Sequence, residues 1–214
     1  MDLAQYKQQF TEEDAVGWLA IDAELDKVYS EQNPKHFAPP ILWELGGEDP
    51  LNGVSIYQTK HADGHKHYVT YGFSALFYDE EAVGADYSKY GFELTFRLKP
   101  FKDDAEFAQW PIYMLQNIAK YVFKSGNYFE PNHYMPANGP IRLETETAIT
   151  AFAFDLDSEL GEIETPHGKL QFLQVVGITQ TEYEAIKASG GTAEDLINAL
   201  KQNNPLLVTD LTRT

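Results

Sequence analysis

Three histidines stand close together in His61-Ala62-Asp63-Gly64-His65-Lys66-His67. Imidazoles two apart on a strand project to one face and can share a zinc ion, with Asp63 adding an oxygen and His61 approaching across a turn. The competing reading is that strand histidines pack and hydrogen-bond inside the fold, and Lys66 sets a repelling charge beside any cation. The second reading is the stronger, so no metal and no other cofactor is expected. Gly72-Phe73-Ser74-Ala75-Leu76 comes close to the strand-to-helix elbow that activates a serine. That elbow needs a glycine where Leu76 stands, which leaves Ser74 as a strand-end hydroxyl. Asp155, Asp157, Glu159, Glu162 and Glu164 crowd one turn-rich stretch. Paired acids do acid–base chemistry when their surroundings split their pKa values. Acids alternating through turns more often mark a solvated face, here a docking surface for a cationic segment. No glycine-rich phosphate loop occurs. The chain reads as a non-enzyme.

The elements that position these residues follow from periodicity. Residues 11–31 predict a helix, with Thr11 as cap, Glu12, Glu13 and Asp14 in its first turn, and Val16, Leu19, Ala20, Ala23 and Val28 on its buried face. Prolines 34, 39 and 40 then hold an extended linker. Short strands are expected at 41–45, 54–60, 66–73 and 90–98. In the last of these Phe92, Leu94 and Phe96 face a core, while Glu93, Thr95 and Arg97 form a polar, exposed face. A helix over 110–124 buries Ile112, Leu115, Ile118, Ala119 and Val122. Residues 128–140 read as a loop. Strands at 148–154 and 169–178 follow, then helices over 180–188 and 192–203 and an edge strand at 206–208. Strands and helices mingle without a βαβ rhythm, which predicts one α+β domain over 1–214 with a central mixed sheet packed against helices.

Composition bounds the function. Thirteen Tyr, thirteen Phe and three Trp require a globular core. With 33 acidic and 16 basic side chains the net charge is −17, which disfavours nucleic acid and favours a basic protein partner. No cysteine is present, so disulfides and thiolate metal sites are out. No apolar run approaches the ~20 residues of a membrane helix, and the amino terminus carries no charged-then-apolar signal. A cytoplasmic location without membrane contact is expected.

Several segments say more when taken in order: Leu45-Gly46-Gly47-Glu48-Asp49-Pro50-Leu51, His67-Tyr68-Val69-Thr70-Tyr71-Gly72-Phe73-Ser74, Tyr90-Gly91-Phe92-Glu93-Leu94-Thr95-Phe96-Arg97-Leu98, and Ala119-Lys120-Tyr121-Val122-Phe123-Lys124-Ser125-Gly126-Asn127. Thr165-Pro166-His167-Gly168 with Phe172-Leu173-Gln174-Val175-Val176-Gly177, and then Leu207-Val208-Thr209-Asp210, complete the series. Over residues 21–211 the chain resembles the amino-terminal domain of the Suppressor of fused family, and the shorter bacterial members more than the animal ones. The resemblance implies a protein-binding domain. In the animal members an extended segment is gripped between this domain and a second one, partly by β-strand addition; a single domain is not expected to form that clamp.

Carried over residue by residue, Tyr121 matches a position bordering the partner groove, and Asn132 stands where the family has an acid. Asp157 matches one of two acids preceding the Thr-Pro-x-Gly motif, with Leu156 replacing its neighbour. Lys66 replaces a buried aromatic. With Asp155 and Glu159 from the acidic stretch, Tyr121, Asn132 and Asp157 make up the expected partner-binding set. Bacterial relatives resemble immunity proteins of polymorphic toxin systems, so a basic toxin or effector is the expected partner. The alternatives are a regulator of another bacterial pathway and a metal-assisted hydrolase using His61, His65 and His67.

Overall fold

Alternating apolar residues need covering helices, and the chain supplies them on both faces of one sheet. The computed structural model describes residues 1–30, 32–61, 64–101, 104 and 106–214. Helices α1 (Leu3–Gln9) and α2 (Val16–Tyr29) lead into strand β1 (Lys35–Phe37) and a single 3-10 turn at Trp43–Leu45. Strands β2 (Gly53–Gln58), β3 (Lys66–Tyr71) and β4 (Tyr87–Leu98) precede helix α3 (Trp110–Ser125). After it come β5 (Tyr134–Pro136), β6 (Ile149–Leu156), β7 (Glu162–Thr165) and β8 (Gly168–Thr179). Helices α4 (Gln180–Ser189) and α5 (Glu194–Lys201) close the series.

The strand order is β1-β2-β3-β4-β8-β6-β5, with β7 lying along β8. Strands β4 and β8 run parallel, from Phe92 opposite Gln171 to Phe96 opposite Val175, while the remaining ladders are antiparallel. This is the mixed sheet and α+β class expected. On one face Leu94, Phe96, Phe152 and Phe154 pack with Leu115, Ile118 and Val122 of α3. On the other, Tyr57, Val69, Tyr71 and Phe172 pack against Ile21, Leu25 and Tyr29 of α2. Further along that face Ala151, Ala153 and Val176 meet Ile186 of α4 and Ile197 of α5. No helix among the described residues is long and apolar enough to cross a membrane.

Several expectations need correcting. The second face of β4 is not exposed: Glu93, Thr95 and Arg97 are all 0% exposed, because α2 covers that side. Residues 41–45 do not form a strand; Gly46, at φ 88°, ends the 3-10 turn there instead. The edge strand at 206–208 reduces to one bridge between Leu98 and Thr209. Residues 128–140 contain β5, and the acidic connection contains β7. Residues 11–14 form a separate turn, with the backbone and hydroxyl of Thr11 donating to Asp14, and α2 begins only at Val16.

Candidate functional site

Helix α3 turns an aromatic face outward. Pro111 suits its first turn, and Gly126 ends it in the left-handed region at φ 73°. Its buried stripe faces the sheet, which leaves Tyr113, Asn117 and Tyr121 exposed at spacings of four. Tyr121 is 43% exposed. Its ring lies 5.9 Å from Phe129, which stacks at 4.1 Å on Phe154 of β6. The Asn127 amide donates to the Tyr121 hydroxyl at 3.1 Å.

Asn132 adopts φ 69°, a left-handed turn that asparagine tolerates. Its N–H donates to Phe154 O at 2.7 Å, and its own carbonyl accepts from Ala193 N at 2.8 Å. Tyr121, Tyr128, Phe129, Asn132, Tyr134 and Thr192 border one depression of ≈300 Å³. Two residues eleven apart in sequence thus line one depression. β5 runs along its border and is the last strand of the sheet. Its neighbours His133 and Ala137 bond inward to β6. Antiparallel alternation therefore turns the N–H and C=O of Tyr134 and the C=O of Pro136 to the open side.

The acidic residues are placed elsewhere. Phe154 points toward α3, so its neighbour Asp155 and then Asp157 point to the opposite face of the sheet. Asp155 is 7% exposed and paired with Lys201 of α5 at 2.5 Å. Asp157 is 1% exposed. Its two oxygens accept from Arg97 Nη2 at 2.9 and 3.0 Å, from the Thr95 hydroxyl at 2.9 Å, and from the N–H groups of Glu159 and Leu160. Glu159 meets Arg97 Nη1 at 2.8 Å and His61 at 3.2 Å. The stretch is not a solvated docking surface beside Tyr121; of its five acids only Glu162 and Glu164, on β7, are exposed.

Two of the three histidines are buried in the same network. The Tyr29 hydroxyl sits 2.7 Å from His67 Nδ1, and His67 Nε2 lies 3.1 Å from Asp157, close but poorly aligned for a hydrogen bond. His65 Nε2 is 3.3 Å from Arg97 Nη1, and His61 stacks on His65 at 5.6 Å. Burial, reinforced by the Arg97 charge, lowers the pKa of His67 to about 4 against the pull of Asp157. Burial opposes the charge on Asp157, but His67 and Arg97 outweigh it and hold the carboxyl far below the usual range. Lys66 faces the other way, over the Phe107 ring. Asp63 lies outside the described residues, and among those described no three side chains gather as a metal ligand set.

Ser74 is no nucleophile in this arrangement: it is 3% exposed and donates to Glu93 at 2.6 Å. Glu93 also accepts from Thr70 and from the N–H groups of Gly72 and Ser74. Burial raises its pKa despite those bonds. The Glu93 cluster and the centre of the Arg97 network are buried and held by several hydrogen bonds each, which suits a structural role.

Comparison with known proteins adds the following. The family model described as Suppressor of fused protein (SUFU) matches residues 47–214. The Suppressor of fused homologues of Homo sapiens and Mus musculus are each 32% identical over 209 residues, covering 92% of this chain and 43% of theirs. The chain therefore spans less than half the length of the curated relatives it matches. The Sufu–Fu complex crystal structure is similar at 30% identity and a TM-score of 0.85, covering 94% of this chain and 92% of that one. The structure of Drosophila Suppressor of Fused is similar at 30% identity and 0.84, over 95% of this chain and 52% of that one. A homologue from Neisseria gonorrhoeae, at 16% identity and 0.61, shares the fold.

Proposed function

The chain belongs to the Suppressor of fused family, and from that premise we propose that it is a non-catalytic domain that binds an extended segment of a partner protein along the open edge of β5. The observation carrying this reading is the single depression that Tyr121 and Asn132 share beside that edge. One similar structure is a family member in complex with Fu, which agrees with a binding role. Pro136 offers no N–H, so main-chain pairing along β5 is brief and side-chain pockets must supply most of the affinity. Tyr121 is the natural anchor: aromatic, half exposed and held by Phe129 and Asn127.

The partner we infer is a basic protein, the toxin or effector of an immunity pair. The net charge of −17 supports this by drawing cationic proteins from a distance. Capture of partners from the native cell on the full chain, followed by rate measurements, tests both parts. Tyr121→Ala is expected to raise the dissociation rate about tenfold or more, worth ~1.4 kcal/mol. Asn132→Gly keeps the left-handed turn and is expected to weaken binding without unfolding the domain. A partner indifferent to both substitutions would refute the site, and an acidic partner would refute the immunity reading alone.

A further inference from the structure

A strand added to β5 would send its side chains alternately to the two faces of the sheet. On the α3 side they meet a groove of ≈530 Å³ between α3, β5 and the loop that follows. Its walls are mostly apolar, among them Tyr113, Met114, Ile118, Met135, Ile141 and Leu143, and no carboxylate among the described residues lines it. The one charged residue among the described lining is Arg142. Arg142 Nη2 meets Asp104 Oδ1 at 3.2 Å. That contact is single, not forked: among the described residues Arg142 Nη1 and Asp104 Oδ2 are both buried without a partner. The indole N–H of Trp110, on the same groove, is likewise buried without an acceptor among the described residues.

Buried donors that lack acceptors are costly to leave unmet, and a guanidinium is shaped for two parallel oxygens. We infer that the segment entering this groove is apolar at the positions facing α3 and carries an aspartate or glutamate at the Arg142 end. A carboxylate at that end would give the guanidinium, whose side chain is 16% exposed, a second acceptor once Nη1 turns toward the groove, while the apolar side chains fill the walls. This rests on the reading of β5 as the docking edge. It also separates two scales: the net charge steers a basic partner from afar, and Arg142 selects an acidic residue at contact.

Random decapeptides displayed on phage and selected on the full chain test it. The expected winners alternate bulky apolar residues and end in Asp or Glu. A synthetic winner should lose tenfold or more in affinity on Arg142→Met, and comparably when its own acid becomes the amide. Because Arg142→Met strands Asp104, a second variant is needed: Leu143→Glu, at a rim position 81% exposed, leaves the core alone and should repel the same peptide. Basic or acid-free winners overturn the inference. Winners that depend on Tyr121 but ignore Arg142 and Leu143 overturn it while sparing the β5 reading. A selection that enriches nothing overturns both.

Discussion

Arg97 is held by buried Asp157 and partly exposed Glu159 and surrounded by Tyr29, His65 and His67, all three away from water. Removing one partner of such a buried pair strands the other charge. Arg97→Ala should therefore cost about 3–5 kcal/mol in urea unfolding, and Arg97→Met with Asp157→Leu should recover much of it. A single-variant loss under ~0.5 kcal/mol would show Arg97 to be a surface residue after all. The alternation of β4 reported only that its two faces differ. Nothing in it told a wet polar face from a dry one, which is why Arg97 read as exposed. The same network sets a pH response. His67 stays neutral in the folded chain down to about pH 4, whereas in the unfolded chain it takes a proton near ~6.5. Between those values the unfolded state holds more protons, so stability falls as pH drops, by about 1.4 kcal/mol per unit for the one proton. Asp157 adds a further loss below the ordinary Asp value of ~3.9. Urea unfolding at pH 7, 6 and 5 should show a slope that His67→Gln reduces by that amount.

Helix α2 docks by its first turn. The N–H groups of Gly17 and Trp18 both donate to Leu76 O, and a Cβ at residue 17 would fall 1.9 Å from Ala75 O. Gly17→Ala gains helix propensity of about 0.8–1 kcal/mol, but the backbone contact cannot yield, and overpacking of this kind costs about 1–3 kcal/mol. A lowered melting temperature is the expected result; a raised one would mean that α2 can lift away freely. The long elements were legible because their stripes are long. Helix α1 was not: its signals are a capping box between Asp2 and Gln5 and one buried ring, Tyr6, whose hydroxyl lies 2.8 Å from His167. Strand β7 hides its alternation behind two glutamates. Tyr121 and Asn132 were found through resemblance, while the Trp110–Arg142 groove was invisible because its walls meet only after α3 has packed on the sheet.

For the whole molecule, the excess of acid acts through the solvent. Raising salt from ~0.05 to ~0.5 M shrinks the Debye length to a few ångströms and should slow association with a basic partner sharply. With Tyr121 in the proposed anchoring role, dissociation should change much less. Equal association rates at both salt concentrations would remove electrostatic steering from the account. The order of the strands has a consequence for synthesis. Of these strands β8 is made last, yet it lies in the middle of the sheet, between β4 and β6. Its parallel partner, β4, leaves the ribosome some eighty residues earlier, with Phe92 waiting for Gln171 and Phe96 for Val175. Throughout that interval the longest apolar strand of the amino-terminal half has an open edge, the state in which nascent chains aggregate or recruit chaperones. A ribosome stalled near residue 165 should hold a chain that protease cuts readily within β4, and a stall well beyond Thr179, with β8 clear of the exit tunnel, should protect it.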